Sequence, residues 1–197
     1  MIAAAESSLK RLGTDYIDLY LVHFDDRLTP FEETARALNN LVERGRLHYI
    51  GFSNLPAWQA ALALAVQREH DYSPFISAQV NYNLLSRDVE HEIIPFIKKE
   101  KLGMMIWSPL AGGFLTGKYT PEDTDGSGGR LSTFQFVPIN KELGYKLVER
   151  LNDIARAHDA TAAQVSLAWL LDKPHVSSPI LGASKFEQLE SNLGAIP

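Results

Sequence analysis

The chain has 197 residues, 45% of them hydrophobic and 22% charged, with a formal net charge of −5. That is enough for one ordinary domain with its own core, and the negative balance gives no electrostatic case for nucleic acid or an anionic membrane as partner. There is no cysteine, which removes disulfides, thiolate catalysis and Cys-based zinc sites together and fits a reducing cytoplasm, the expected location. No apolar run approaches the ~18 residues of a membrane span, and residues 1–6 lack the basic start and long apolar centre of a signal peptide.

Residues 3–11 read as a helix that begins without a cap. Residues 16–22, rich in β-branched, aromatic and leucine side chains, read as a buried strand ending on His23. Thr29 and Pro30 open a helix whose apolar positions Phe31, Ala35, Leu38, Leu41 and Val42 recur at helical spacing, and Gly45 closes it. Residues 47–52 form a short strand, and Asn54 with Pro56 is expected to cap the next helix, which runs toward Arg68. A third strand covers 75–80, a helix 88–100 and a fourth strand 103–107. A long loop follows, from Ala111 to about Pro138, with the Gly-rich run 126–130. Helices are expected over 141–158 and 161–171, the second with Thr161 as cap and Gln164 at the third helical position. The fifth strand is 178–181 and the last helix 185–193. Nearly all-apolar strands alternating with helices demand a parallel α/β architecture, either an open doubly wound sheet or part of a barrel.

In both architectures chemistry collects at the C-terminal ends of the strands, and each strand here ends on a hydrogen-bonding group. The first ends at His23, the second at Ser53 and Asn54, the third at Gln79, the fourth at Trp107 and Ser108, and the fifth leads into Gly182, Ala183, Ser184 and Lys185. Each has a plainer reading. His23 could bond a neighbouring backbone; Ser53 and Asn54 could only cap the following helix; Trp107 could be core. The run 182–185 at a helix start gathers free N–H groups, a hydroxyl and a cation, as an anion site does, but also as an ordinary cap beside a solvated lysine does. Gln79 is harder to dismiss, because a buried amide needs partners. His23, Asp25 and Asp26 could also be read as a metal-dependent hydrolase site, but they lack the His-x-His pair such sites favour; no metal is expected. His48, His70, His91, His158 and His175 read as surface residues.

The motifs LGTDYIDLYLVH (12–23), GRLHYIGFSN (45–54), SAQVNYNLLSR (77–87), GMMIWSPLAGGFLTGKY (103–119) and PILGASKFEQLESN (179–192) together resemble the aldo-keto reductase family. The Trp-Ser-Pro-Leu form is similar to the branch that includes bacterial reductases and potassium-channel β subunits. The resemblance implies a (β/α)8 barrel that reduces aldehydes or ketones with NADPH, bound without a Gly-rich nucleotide fold. It also implies roles. Ser53, Asn54 and Gln79 match residues that hydrogen-bond the nicotinamide carboxamide, which needs both donors and acceptors. Trp107 matches the aromatic that stacks on the nicotinamide ring. Ser108, Leu110, Gly112 and Lys118 match the segment along the pyrophosphate, and Arg130 a loop arginine that clamps it. Gly182, Ser184, Lys185 and Gln188 match the site for the adenosine 2′-phosphate, and Asn192 an adenine contact. Ser191 stands where the family often has glutamate. His23 matches the active-site histidine that faces the carbonyl oxygen.

The family's proton donor is a tyrosine assisted by lysine and aspartate, all from strands that precede the fourth barrel strand, and the resemblance begins in the helix before that strand. Residues 1–197 are therefore expected to be a single domain without the three N-terminal β/α units: an incomplete barrel of five parallel strands. Tyr82, just past Gln79, is the one stand-in for the missing phenol. An open barrel exposes edges, so a homo-oligomer through those edges is expected, with a small carbonyl compound as substrate. The competing expectation is a non-catalytic NADPH-binding or partner subunit.

Overall fold

The computed structural model describes residues 1–24, 26, 28–123, 129–133 and 137–196. In chain order the elements are α1 (Ile2–Leu12), β1 (Ile17–Val22), α2 (Phe31–Glu43), β2 (Leu47–Ser53), α3 (Ala57–Glu69), β3 (Phe75–Asn81), α4 (Ile93–Glu100), β4 (Gly103–Trp107), α5 (Arg130–Thr133), α6 (Lys141–Ala157), α7 (Ala162–Leu171), β5 (Ser178–Pro179) and α8 (Phe186–Leu193). Short 3-10 helices cover Asp88–Glu90 and Ala111–Thr116. The strands hydrogen-bond in sequence order, β1-β2-β3-β4-β5. Five parallel strands with flanking helices make an α/β fold consistent with an incomplete (β/α)8 barrel, as the sequence led us to expect. The chain divides into two compact units, 1–80 with 90–104, and 81–89 with 105–197.

In the first unit β1–β2 and β2–β3 pair in parallel. Phe52 and Phe75 are fully buried, with ring centroids 5.4 Å apart. Leu38, Leu41, Leu47, Ile50, Leu64, Ile97 and Met104 of the same unit are buried as well; each large apolar side chain taken out of water contributes roughly 1.5–3 kcal/mol. Helix α2 forms because Ala35, Leu38 and Leu41 share one buried face, with Glu32 and Glu33 at the positive end of the helix dipole. It stops where Gly45 takes φ +68° and donates its N–H to Val42 at 2.8 Å, while Arg46 N–H reaches the Leu41 carbonyl at 2.9 Å.

The β2–β3 register contains one shift. Ile50 lies opposite Phe75 but Gly51 lies opposite Ser77, so Ile76 is an extra residue in β3. At that point the strands approach so closely that a Cβ on Gly51 would sit 2.5 Å from the Ser77 carbonyl oxygen. Glycine is required there by space.

In the second unit β4 and β5 pair in parallel, with Ile106 level with Pro179, and the Ile180 N–H extends the ladder to the Ile106 carbonyl at 2.7 Å. Strand β5 is shorter than the 178–181 expected. The core here gathers Phe114, Leu115, Tyr119, Val148, Leu151 and Ala162. The region expected to be one long loop is partly wound: the 3-10 helix at Ala111–Thr116 and α5 lie within it. Residues 126–128 of the Gly-rich run lie outside the described residues. Helix α7 starts as expected, with a capping box in which Thr161 Oγ1 accepts from Gln164 N–H at 3.2 Å and Gln164 Oε1 from Thr161 N–H at 2.8 Å. No helix among the described residues is long and apolar enough to cross a membrane.

Candidate functional site

The first unit assembles its polar strand ends by register. Val22 pairs with Phe52 and Phe52 with Ala78, so the next residues, His23, Ser53 and Gln79, stand level at the C-terminal ends of three adjacent strands. The register shift at Ile76 sets this alignment; with Ile76 paired opposite Gly51, Ala78 rather than Gln79 would oppose Ser53. Ser53 is 1% exposed and donates its hydroxyl to the Gln79 carbonyl at 2.9 Å. Asn54 adopts φ +58° and donates Nδ2–H to the His23 carbonyl at 3.2 Å. The left-handed region is open to asparagine at modest cost.

These bonds correct one expectation. The N-cap of α3 is Pro56, with no side-chain cap bond, rather than Asn54. The side chains of Ser53 and Asn54 instead tie strand ends together. The Ser53 hydroxyl has spent its only proton, so toward a ligand it can accept but not donate. The Gln79 carboxamide is half-buried and has no hydrogen-bond partner among the described residues, leaving both donor and acceptor available. His23 is exposed, its ring tilted against Phe24 at 4.1 Å between centroids. Nearby in β1, burial raises the pKa of Tyr20, which keeps that phenol protonated and makes it a poorer acid. Asp26 is engaged in its own turn, accepting from Thr29 Oγ1 at 2.6 Å and Leu28 N–H at 3.1 Å, and these bonds lower its pKa. Asp25, its partner in the metal reading, lies outside the described residues.

In the second unit β4 ends on half-buried Trp107, and the backbone then turns sharply. Ser108 has φ +54°, Ala111 +49°, Gly112 +66° and Gly113 +91°. Two non-glycine residues in the left-handed region cost about 1 kcal/mol or more each and persist only where neighbours enforce them. The enforcement is visible. The Ser108 carbonyl accepts from Ala111 N–H at 3.0 Å and Ser108 Oγ accepts from Gly112 N–H at 3.2 Å. Gly113 N–H goes to the Leu110 carbonyl at 2.9 Å. Tyr119 Oη accepts from Leu131 N–H at 3.2 Å and donates to the Gly112 carbonyl at 3.4 Å. A Cβ on Gly112 would meet Leu131 Cδ2 at 2.6 Å, and one on Gly113 would meet Lys118 Nζ at 2.9 Å. The structure thus gathers Ser108, Leu110, Gly112 and Lys118, with Leu131 fixing the start of α5, whose first residue is Arg130. The loop N–H groups at 111–113 are already bonded within the loop, so they do not form a cradle of free amides for an anion.

The segment 182–192 differs. Gly182, Ser184, Lys185 and Gln188 are all exposed, and Asn192 is half-buried. Nothing lies within 4 Å of a Cβ placed on Gly182, and its φ is not positive, so neither space nor backbone demands glycine. Gln188 Oε1 accepts from Ser184 N–H at 3.2 Å and Oγ–H at 3.4 Å, folding the turn onto the start of α8. The Ser191 carbonyl accepts from Gln164 Nε2 at 2.7 Å, which ties α8 to α7.

Two sequence readings fail in this unit. Tyr82 is 1% exposed, its ring 5.2 Å from Trp169 and 6.3 Å from His175; it is a core side chain rather than a phenol presented to substrate. His175 is not a surface residue either, since both ring nitrogens are buried. The residues missed are Gly51 and Asn83; Gln164 was read only as part of a cap, not as the tie to Ser191. Two asparagines two apart in VNYN are a turn signal, and that was the one clue to Asn83.

Polar groups at the ends of parallel strands stand where α/β proteins of the barrel and doubly wound kinds carry their chemistry. A sequence model of the Aldo/keto reductase family matches residues 1–197. The chain belongs to that family of oxidoreductases. It is 35% identical over 194 residues to a soybean (Glycine max) protein named "Probable aldo-keto reductase 1", covering 98% of this chain and 54% of that one. It is 36% identical over 192 residues to the "Uncharacterized oxidoreductase YrpG" of Bacillus subtilis, covering 97% and 57%. It is 36% identical over 204 residues to a fission yeast (Schizosaccharomyces pombe) protein named "Putative voltage-gated potassium channel subunit beta", covering 100% and 58%. The chain spans somewhat over half the length of these relatives.

Proposed function

We propose that this chain carries the cofactor-holding part of an NADPH-dependent reductase of aldehydes or ketones. The observation that supports this most is the level row His23, Ser53, Gln79, in which a register shift places an available carboxamide beside a hydroxyl acceptor. Such a pair suits a carboxamide ligand, which both donates and accepts. The donor set of the second unit suits phosphates: Lys118 and Arg130 along one segment, and Ser184 with Lys185 at the start of α8 along another. Trp107 offers an aromatic face beside the 108–113 turn. NADPH, when bound, would supply the hydride. The role of this chain's own residues is to bind and orient it, and His23 would hold an N–H donor toward the oxygen on which negative charge develops.

None of the matched motifs supplies the tyrosine, lysine and aspartate of the family's proton relay, and Tyr82 is committed to the core. General acid catalysis contributes ~10²–10⁴-fold, so residues 1–197 are expected to bind NADPH without appreciable turnover. That burial also favours a second reading: a cofactor-binding or partner subunit, in keeping with the channel-subunit name carried by one relative.

The test is a titration of the 197-residue chain with NADPH, followed by nicotinamide fluorescence, with an aldehyde then added and the loss of reduced nicotinamide recorded. Saturable binding that weakens in Lys185→Ala and Gln79→Ala, with negligible oxidation, is the expected result. A folded chain that shows no saturable binding removes the proposal.

A further inference from the structure

We propose that Asn83 is a positioning residue for the cofactor: its side chain latches the turn after β3 to the end of β4 and holds Ser108 in its left-handed conformation. The inference concerns the second unit alone and rests on the reading above only where cofactor affinity is concerned. Asn83 is 2% exposed, so its carboxamide must find partners. Nδ2–H donates to the Ser108 carbonyl at 3.0 Å and to Asn81 Oδ1 at 3.3 Å, and Oδ1 accepts from Leu85 N–H at 2.9 Å. Its main chain exchanges two bonds with Ser86, each 3.1 Å, and Asn81 Nδ2–H reaches Ser86 Oγ at 2.9 Å. Both donor hydrogens and one acceptor site are therefore committed inside a turn that its own backbone already closes.

Of these bonds, the one to Ser108 leaves the turn. It lands on a carbonyl that also accepts from Ala111 N–H, in a residue whose Oγ accepts from Gly112 N–H. Ser108 thus organises the whole 108–113 segment while itself sitting at φ +54°, a conformation serine keeps only when its surroundings enforce it. Trp107 is the preceding residue, so a bond that fixes Ser108 also bears on the direction in which β4 delivers the indole. Serine and threonine are too short to make the Leu85 and Ser108 bonds together. Aspartate has the right size but no N–H and would set a carboxylate against the Ser108 carbonyl.

The experiment compares the unmodified 197-residue chain with Asn83→Asp by amide hydrogen exchange and by NADPH titration. Exchange at the Ala111 and Gly112 amides is expected to accelerate about tenfold, the effect of losing one buried hydrogen bond. The Gln164 and Leu143 amides, each held by a separate helix cap, should be unaffected. The NADPH dissociation constant is expected to rise about tenfold, again the effect of one lost buried bond. Unchanged exchange at Ala111 and Gly112 in a folded variant overturns the proposal, and so does uniform acceleration at all four amides. If the variant does not fold, the unmodified chain decides: Asn83 Nδ2 hydrogens protected from solvent exchange, with cross-peaks to Ser108, support the latch, and unprotected hydrogens without those cross-peaks overturn it. Should the unmodified chain fail to bind NADPH, the functional reading falls while the exchange data still judge Asn83.

Discussion

Two segments of the second unit are assigned by the family resemblance to the phosphates of one cofactor, and they are built in opposite ways. Residues 108–119 are wound into a braced turn: Phe114 and Leu115 anchor it in the core, and Tyr119, Ser108 and Asn83 bond it from three directions. Residues 182–192 lie on the outside, and α8 buries none of its residues. One side-chain bond from Gln164 and the buried Ala195 behind it hold that helix to the body. On the proposed reading the first segment is preorganised for binding by its own packing, whereas the second is held to the body by fewer contacts. Affinity at the braced segment should therefore depend on residues that never meet the ligand, and affinity at the loose one on residues that do.

The largest test of this contrast is Phe114→Ala. The ring is 1% exposed and stacks on Tyr119 at 5.8 Å, so truncation should cost about 3–5 kcal/mol in a urea titration. It should also release the 108–119 amides. A loss below about 1 kcal/mol would mean the turn is not braced by its core.

Gln164→Ala should cost about 1–2 kcal/mol, through the cap lost at Thr161 and the bond lost at Ser191. The extra exchange should appear in α8 and leave 108–119 untouched; acceleration in both segments would erase the distinction. Gly182→Ala sharpens it further. With open space and no positive φ at that position, stability should change by less than about 0.5 kcal/mol. Any loss of NADPH affinity would then report ligand contact alone, and unchanged affinity would remove Gly182 from the site.

A control outside both segments is the smallest effect. Asp26 is held below its ordinary value of 3.8 by Thr29 and Leu28. Its folded pKa is the lower one, so the contribution is present above about pH 4 and drains away as pH falls through the depressed value. Thr29→Val should move that acid transition upward, seen as the Asp26 carboxyl signal in an NMR titration, with no change near neutrality. A transition that stays in place would assign the shift to another cause.

How far the sequence could be read depended on whether a feature is periodic. Strands announced themselves as apolar, β-branched runs and helices through a 3.6-residue period, and the Thr161–Gln164 box and the Gly45 stop through residue chemistry alone. What escaped was set by tertiary partners. Asn54, two residues before Pro56, reads as a cap, yet the backbone turned left-handed and sent the amide to β1. The Ala-Gly-Gly run reads as loop, yet the left-handed residues wound it into a 3-10 helix around Phe114. Tyr82 reads as lying at the mouth of a barrel because it follows Gln79, but a side chain's direction past a strand end is fixed by what it packs on, here Trp169. Of the candidate site, the strand-end residues were legible and their bracing was not, because a brace such as Asn83 has no chemistry of its own to give it away.

The unpaired Ile76 has a lasting consequence for how such a chain can change. Because side chains alternate along a strand, that one supernumerary residue works like a half-step in a ratchet, indexing Gln79 rather than Ala78 to the serine across from it. Insertions elsewhere can be absorbed by surface connections. Pairing Ile76 in register, opposite Gly51, would leave both strands intact, yet bring a methyl group where an amide now stands.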